Sequence, residues 1–157
     1  MRKTGRMRRR AGAVVLIVAA FAIGVIWGAT PIATAGSQTT RVFSESTGMV
    51  ISYVKPGQTA AFERIMRRVG DALSTSESVD RRRQAAGWKV YKATEPLEGG
   101  VVLYVSVLDP VVSGADYWVP QILNEAFPTE VQELYETYAG AFADGQILLN
   151  LTPVVGP

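Results

Sequence analysis

The side chains that could do chemistry in this chain are hydroxyls, amides and lysines, because the sequence contains neither His nor Cys. Their absence excludes Ser-His and Cys-His nucleophile pairs, His-ligated zinc and haem held by a proximal His. Asp109 and Asp116 are explained as turn and helix-start residues and do not suggest a metal site. We therefore predict no metal and no cofactor, and no catalytic residue is assigned. Besides carboxylate-bound metals, for which these aspartates are too sparse, Tyr or Lys acid–base chemistry and cofactor-free chemistry are the classes left.

Seven residues are candidates for contacting a small molecule. Side chains alternate between the two faces of a strand, so we expect the most apolar alternate positions to face the helices. The remaining positions would line a barrel interior that is apolar with a few polar groups, as small-molecule pockets are. The candidates are Ser52, Lys89, Tyr91, Tyr104, Ser106, Trp118 and Asn150.

The chemistry of each side chain suggests its role in such a pocket. Asn150 or Tyr104 would hydrogen-bond a substrate oxygen. Tyr91 or Lys89 would move a proton. Trp118 opens the second helical region, where it either gates the cavity or belongs to the core. The alternative for the polar candidates is that they satisfy one another across a dimer interface.

Strands and helices must position these candidates. Runs of β-branched and aromatic residues predict four strands, and apolar residues spaced three and four apart predict two helical regions. Pro128 interrupts the second of these regions. The predicted strands span residues 48–54, 88–93, 101–108 and 146–154, and the helical regions begin near residues 59 and 116.

Both helical regions carry a single apolar stripe. Thr59 is the predicted N-cap of the first helix, and Glu63 and Arg67 form an i,i+4 pair on its polar side. The first stripe consists of Phe62, Ile65, Met66, Val69 and Leu73, and the second of Val131, Leu134, Tyr135, Tyr138 and Phe142.

The resulting order, β-α-β-β-α-β, predicts an α+β ferredoxin-like fold with a four-stranded antiparallel sheet and its helices on one face. The opposite face of the sheet would then be uncovered and apolar. An exposed apolar face of this kind is a liability or an interface. We therefore expect a homodimer in which two sheets meet and form a dimeric α/β barrel.

The N-terminus has the pattern of an export signal: six basic residues, a charge-free apolar stretch, and an A-x-A site at residues 33–35. We predict a signal peptide over residues 1–35, a polar linker over 36–46 and the domain over 47–157. An uncleaved membrane anchor is the alternative, since the 19 residues from Ala11 to Ala29 approach the roughly 20 that span a bilayer. Either interpretation makes the domain periplasmic or extracellular, with membrane contact only through an uncleaved N-terminal segment.

Charge argues against nucleic acid as a partner. All 14 acidic residues follow the leader, so residues 36–157 contain 10 basic and 14 acidic groups and carry a formal net charge of −4. Nucleic-acid-binding domains need a basic face or stripe. We therefore predict no nucleic-acid partner for the domain.

Several short motifs make the chain resemble the dimeric α/β-barrel superfamily, especially its antibiotic-biosynthesis-monooxygenase-like branch. They are the turn Lys55-Pro56-Gly57, the pair Phe62-Glu63, Gly87-Trp88 before the second strand, and the Gly99-Gly100 hairpin. The resemblance covers roughly residues 48–154. It implies a homodimer with space for a ligand in the barrel, in a superfamily that includes cofactor-free monooxygenases acting on polycyclic phenols.

Two functional hypotheses follow. The first is an exported dimeric α/β-barrel protein that binds a small hydrophobic or aromatic molecule, with cofactor-independent monooxygenase-like activity as its enzymatic form. The second is a non-enzymatic envelope binding or structural module of the same fold with a filled barrel. The size of the cavity distinguishes them, because a small-molecule site needs several hundred cubic ångströms.

Overall fold

The structure, a computed structural model, describes residues 40–155. The predictions for the leader, for cleavage before Gly36 and for the first part of the linker lie outside the described residues. Within residues 40–155, no helix combines the length and hydrophobicity needed to cross a membrane. The elements are β1 (Thr47–Val54), α1 (Thr59–Ser74), α2 (Val79–Gly87), β2 (Trp88–Lys92), β3 (Val102–Leu108), α3 (Val119–Ala126), α4 (Val131–Gly140) and β4 (Phe142–Leu151).

The four strands form one antiparallel sheet in the order β2-β3-β1-β4. The two central strands are therefore the first and third in sequence, as the split βαβ arrangement requires. This strand order confirms the α+β ferredoxin-like fold. The second helical region is divided into α3 and α4 around Pro128, as predicted.

The helix stripes form most of the core. Four residues of α1 are fully buried (Phe62, Ile65, Val69 and Leu73), whereas Met66 is only partly buried. On α4, Leu134 and Tyr138 are buried, but Tyr135 is 45% exposed, so its predicted place in the core is wrong. The predicted N-cap is also wrong, because Pro56–Gln58 forms a 3-10 turn that places Gln58 immediately before the helix.

The prediction of which sheet face meets the helices is wrong for three strands, β1, β3 and β4. On β1 the helix-facing residues are Val50, Ser52 and Val54, and on β3 they include Tyr104 and Ser106. The pattern of alternation fixes which residues share a face, but it selects the buried face only where the two faces differ in polarity. Here both faces are apolar, so polarity does not identify the face that packs on the helices, and the predicted face is the wrong one.

The opposite face of the sheet, which we call the open face, remains half-exposed or exposed. Antiparallel register brings its side chains together across all four strands, since Ile51 is opposite both Val105 and Ile147, and Val105 is also opposite Tyr91. The prediction of an uncovered apolar face is thus confirmed, with a different set of residues. The open face carries Met49, Ile51, Tyr53, Lys89, Tyr91, Leu103, Val105, Val107, Ile147 and Leu149.

Residues 41–46, predicted as the end of a polar linker, pack on the domain instead; we call them the N-terminal strap. The backbone N–H of Arg41 donates to Asp116 Oδ1 at 2.7 Å, and the N–H of Val111 donates to Ser46 O at 2.7 Å. Phe43 is buried beside Gly48, where a Cβ atom would lie 2.5 Å from the ring. Composition misleads here because one aromatic and one arginine anchor an otherwise polar segment.

Candidate functional site

The seven predicted site residues do not form one site. Lys89 and Tyr91 lie on the open face, as expected. Asn150 lies near the end of β4, where its Oδ1 accepts a hydrogen bond from the Ser44 N–H at 2.8 Å. Trp118 immediately precedes α3, and its backbone N–H donates to Asp116 Oδ1 at 2.8 Å.

The other three predicted site residues are buried and face the helices, so the prediction that they line the opposite face is wrong. Tyr104 faces α1 because its ring packs on Phe62, with the ring centres 4.7 Å apart. Ser52 faces inward because its Oγ accepts a hydrogen bond from Gln146 Nε2 at 2.7 Å. Ser106 lies beside it, two residues from Tyr104 on β3. A role for any of the seven in binding substrate stays a prediction.

Tyr104 belongs to a three-residue polar cluster at the edge of the sheet. Its hydroxyl donates to Glu63 Oε1 at 2.6 Å, and Lys92 Nζ donates to the same oxygen at 3.0 Å. Tyr104 and Lys92 meet because they are register partners on β3 and β2. Glu63 reaches them from the first turn and a half of α1, where it also forms the predicted i,i+4 pair with Arg67 at 3.8 Å.

The cluster has fixed protonation states near neutral pH. The hydrogen bonds from Tyr104 and then Lys92 lower the pKa of Glu63, so its carboxylate is ionised. Burial, and then the bond donated to Glu63, raise the pKa of Tyr104, so its phenol stays neutral. The hydrogen bond to Glu63 raises the pKa of Lys92, which stays charged. Its lowered pKa makes the Glu63 carboxylate a weak base, and its raised pKa makes the Tyr104 phenol a weak acid. The two groups therefore suit binding better than proton transfer.

A cleft of about 290 Å³ opens beside this cluster. Its wall is apolar and comes from Phe62, Met66 and Val90, whereas Glu63, Arg67, Lys92 and Tyr104 supply its polar groups. A mostly apolar concavity with a few convergent polar groups is the usual form of a small-molecule site, and this volume is near the lower end of the usual range. We call this concavity the edge cleft.

A second, much smaller space lies between the sheet and the helices; we call it the chamber. About 10 Å³ of it is open to the centre of a water molecule, which is room for about one water. Ser52 and Ser106 line it, as do Tyr138 and Gln146, which are joined by a hydrogen bond of 3.3 Å between Tyr138 Oη and Gln146 Oε1. Burial raises the pKa of Tyr138, so this network is neutral.

Two chamber-lining residues carry buried donors without an acceptor within residues 40–155: Arg41 through Nε and Trp88 through Nε1. The great majority of buried hydrogen-bond donors in proteins have an acceptor, and each exception calls for a physical explanation.

A larger concavity, about 540 Å³, is a groove between α1 and α3. Three of its charged side chains, Arg68, Arg81 and Glu125, are committed to ion pairs. Arg68 forms two bonds to Glu130, at 2.9 and 3.1 Å, with its guanidinium 4.1 Å from the centre of the Phe127 ring. Arg81 pairs with Glu125 at 2.6 Å. These contacts join α1 and α2 to the second helical region, so we assign the groove a structural role.

The sequence did not reveal Glu63 as a partner of Tyr104, and Lys92 and Arg41 were not among the predicted site residues. A signal for Lys92 was available, because it lies an odd number of positions after Lys89. The two lysines are therefore on opposite faces of β2, and Lys92 is on the face that packs on the helices. Within the described part of the chain, no three acidic side chains lie close enough together to hold a metal ion.

Neither a protein-family model nor a curated protein matches the chain. A solved structure that is similar to it is a candidate antibiotic biosynthesis monooxygenase from Caulobacter crescentus. The identity is 14% and the TM-score 0.38, over 71% of this chain and 94% of that one. The match is to the branch that the sequence motifs resemble, but a similarity of this size carries no argument about activity. The ferredoxin-like fold rests on the strand order described above.

Proposed function

We propose that this protein is an exported homodimer that binds a small hydrophobic or aromatic molecule in the edge cleft. The observation that carries the proposal is the cleft itself, because an apolar wall meets a charged lysine and a neutral tyrosine hydroxyl there. Phe62, Met66 and Val90 offer the apolar contact that orders an aromatic ring. Lys92 and Tyr104 offer hydrogen bonds that fix its orientation.

Dimerisation is supported by the open face. At least seven large apolar side chains share this face, and none of them belongs to the buried core. A contiguous apolar surface of this kind is typical of a protein interface. Export is supported only by the pattern of the leader, with its basic start, apolar stretch and A-x-A site.

Cofactor-independent monooxygenase activity would be the enzymatic form of this function. Such a reaction begins when a group on the protein takes a proton from the substrate, and Glu63 is poorly suited because its pKa is lowered. The non-enzymatic module is favoured by the chemistry of the polar cluster, because a lowered pKa of Glu63 and a raised pKa of Tyr104 suit binding better than proton transfer. Oxygen uptake with 1-naphthol as the substrate distinguishes the two, since a binding protein consumes none.

The cleft is tested by filling it. Val90 is 40% exposed at the edge of the sheet, so Val90→Trp should fold normally and occupy the edge cleft. Tyr91→Trp adds bulk to the next residue on the opposite face and is the matched control. We expect isothermal titration with 2-methylnaphthalene to show saturable binding to the wild type and to the control, and none to Val90→Trp. Undiminished binding to Val90→Trp, or no binding to the wild type, would overturn the proposal.

A further inference from the structure

The two donors of the chamber that lack acceptors point to the chemistry of what binds there. An arginine Nε–H and an indole N–H donate hydrogen bonds but never accept them. Both are buried, and both belong to residues that line the chamber. The occupant that satisfies them must therefore present an acceptor.

The charge of the chamber favours an anionic acceptor. Arg41 is its only charged lining residue, and within residues 40–155 no carboxylate forms an ion pair with the Arg41 guanidinium. Asp116 accepts a hydrogen bond from the backbone N–H of Arg41, not from its guanidinium. Tyr138 also faces Arg41 and remains neutral. An anionic oxygen would compensate the charge and accept both hydrogen bonds.

Met66 separates the chamber from the edge cleft. Its side chain lines both spaces and also a crevice of about 100 Å³ between α1 and β2, which Trp88 lines from the other side. Methionine is unbranched, with three rotatable bonds, and adapts readily to new neighbours. Phe62 also lines both spaces, but its ring is packed against Tyr104, Tyr138 and Phe142. A rotation of Met66, the more flexible of the two side chains, would therefore open a path from the apolar cleft to the chamber.

Building on the proposed function, we infer that the ligand is an aromatic molecule bearing a carboxylate. Its ring lies in the edge cleft, and its oxygen accepts hydrogen bonds from Trp88 Nε1 and Arg41 Nε after Met66 moves aside. Trp88 and Arg41 therefore determine specificity, whereas Phe62 and Val90 supply affinity for the ring.

The test compares two probes that share a ring system, 2-naphthoate and 2-methylnaphthalene, by isothermal titration. We expect 2-naphthoate to bind the wild type at least about tenfold more tightly, because one hydrogen bond to a charged group makes a difference of about this size and the carboxylate would accept two. Arg41→Met and Trp88→Phe should each remove most of this advantage and leave 2-methylnaphthalene affinity nearly unchanged. Arg41 lies on the N-terminal strap, so its variant keeps the test valid if Trp88→Phe fails to fold.

Lys92→Met tests the competing location for the carboxylate, at the mouth of the cleft. Loss of the advantage in Lys92→Met but not in Arg41→Met would overturn the inference, as would equal affinity of the wild type for both probes. Neither result would affect the proposed function, which fails if 2-methylnaphthalene does not bind the wild type or if it binds Val90→Trp undiminished. A direct readout is the indole N–H resonance of Trp88, which should move on addition of 2-naphthoate; an unchanged resonance would also overturn the inference.

Discussion

Tyr104→Phe removes a single hydroxyl from the polar cluster of the edge cleft. That hydroxyl donates to Glu63 Oε1 at 2.6 Å from a side chain that is 2% exposed. Hydrogen bonds to charged groups contribute about 1.5–3 kcal/mol. Glu63 keeps its bond from Lys92, and its side chain is 33% exposed, so water replaces part of what is lost. We expect Tyr104→Phe to lower the free energy of unfolding by about 1 kcal/mol at pH 7.

The effect should depend on pH with a definite sign. The hydrogen bonds from Tyr104 and Lys92 lower the pKa of Glu63 in the folded protein. A carboxyl of this kind contributes stability that is present above its unfolded pKa, about 4.3, and lost as the pH falls through the folded pKa. The difference between Tyr104→Phe and wild type should therefore shrink as the pH falls from 7 towards 3, because protonation of Glu63 weakens the hydrogen bond that it accepts.

Urea unfolding followed by far-UV circular dichroism measures this difference. Wild type and variants must be compared at one protein concentration, because the proposed dimer would make apparent stability depend on concentration. Tyr91→Phe is the matched control, since it removes a hydroxyl from a side chain that is 54% exposed on the open face. A loss of equal size at pH 7 and pH 3, or no loss at pH 7, would refute the role assigned to the bond.

Two further predictions concern packing and assembly. Gly48→Ala places a Cβ 2.5 Å from the Phe43 ring and should destabilise the domain by about 1–3 kcal/mol, as measured by urea unfolding. Gly70→Ala, inside α1 with open space around its Cα, should instead stabilise it by about 0.5–1 kcal/mol, and the opposite order would contradict the packing described. Val105→Lys on the open face should shift the protein from dimer to monomer in sedimentation velocity. Val79→Lys on α2, an exposed valine outside the open face, should remain dimeric, and a dimeric Val105→Lys would refute the interface.

The fold could be predicted from sequence because local patterns specify it. Phe62, Ile65, Val69 and Leu73 repeat with the helical period and are buried along one stripe of α1. The strand order follows from β-α-β-β-α-β once the helices share a face. No long-range contact had to be known for either step.

The site could not be predicted, because its contacts join residues that are distant in sequence. Glu63 meets Tyr104 and Lys92 across 41 and 29 positions, and no local pattern encodes such pairs. Ser52 and Ser106 seemed suited to a solvated cavity because they are polar. They are buried instead, and Ser52 accepts a hydrogen bond from Gln146 inside the core. This bond offsets the free-energy cost of burying a hydroxyl.

Methyl-labelled methionine tests the central claim most directly, because the described residues contain two methionines with separate roles. Met66 lines the edge cleft and the chamber, whereas Met49 lies on the open face. The protein recovered from its host with ¹³C-methyl methionine would be titrated with 2-naphthoate, and the two signals assigned with Met66→Leu and Met49→Leu. We predict that the Met66 signal shifts and the Met49 signal does not. A shift of Met49 alone would place the ligand between the sheets and contradict the account, as would no shift of either signal.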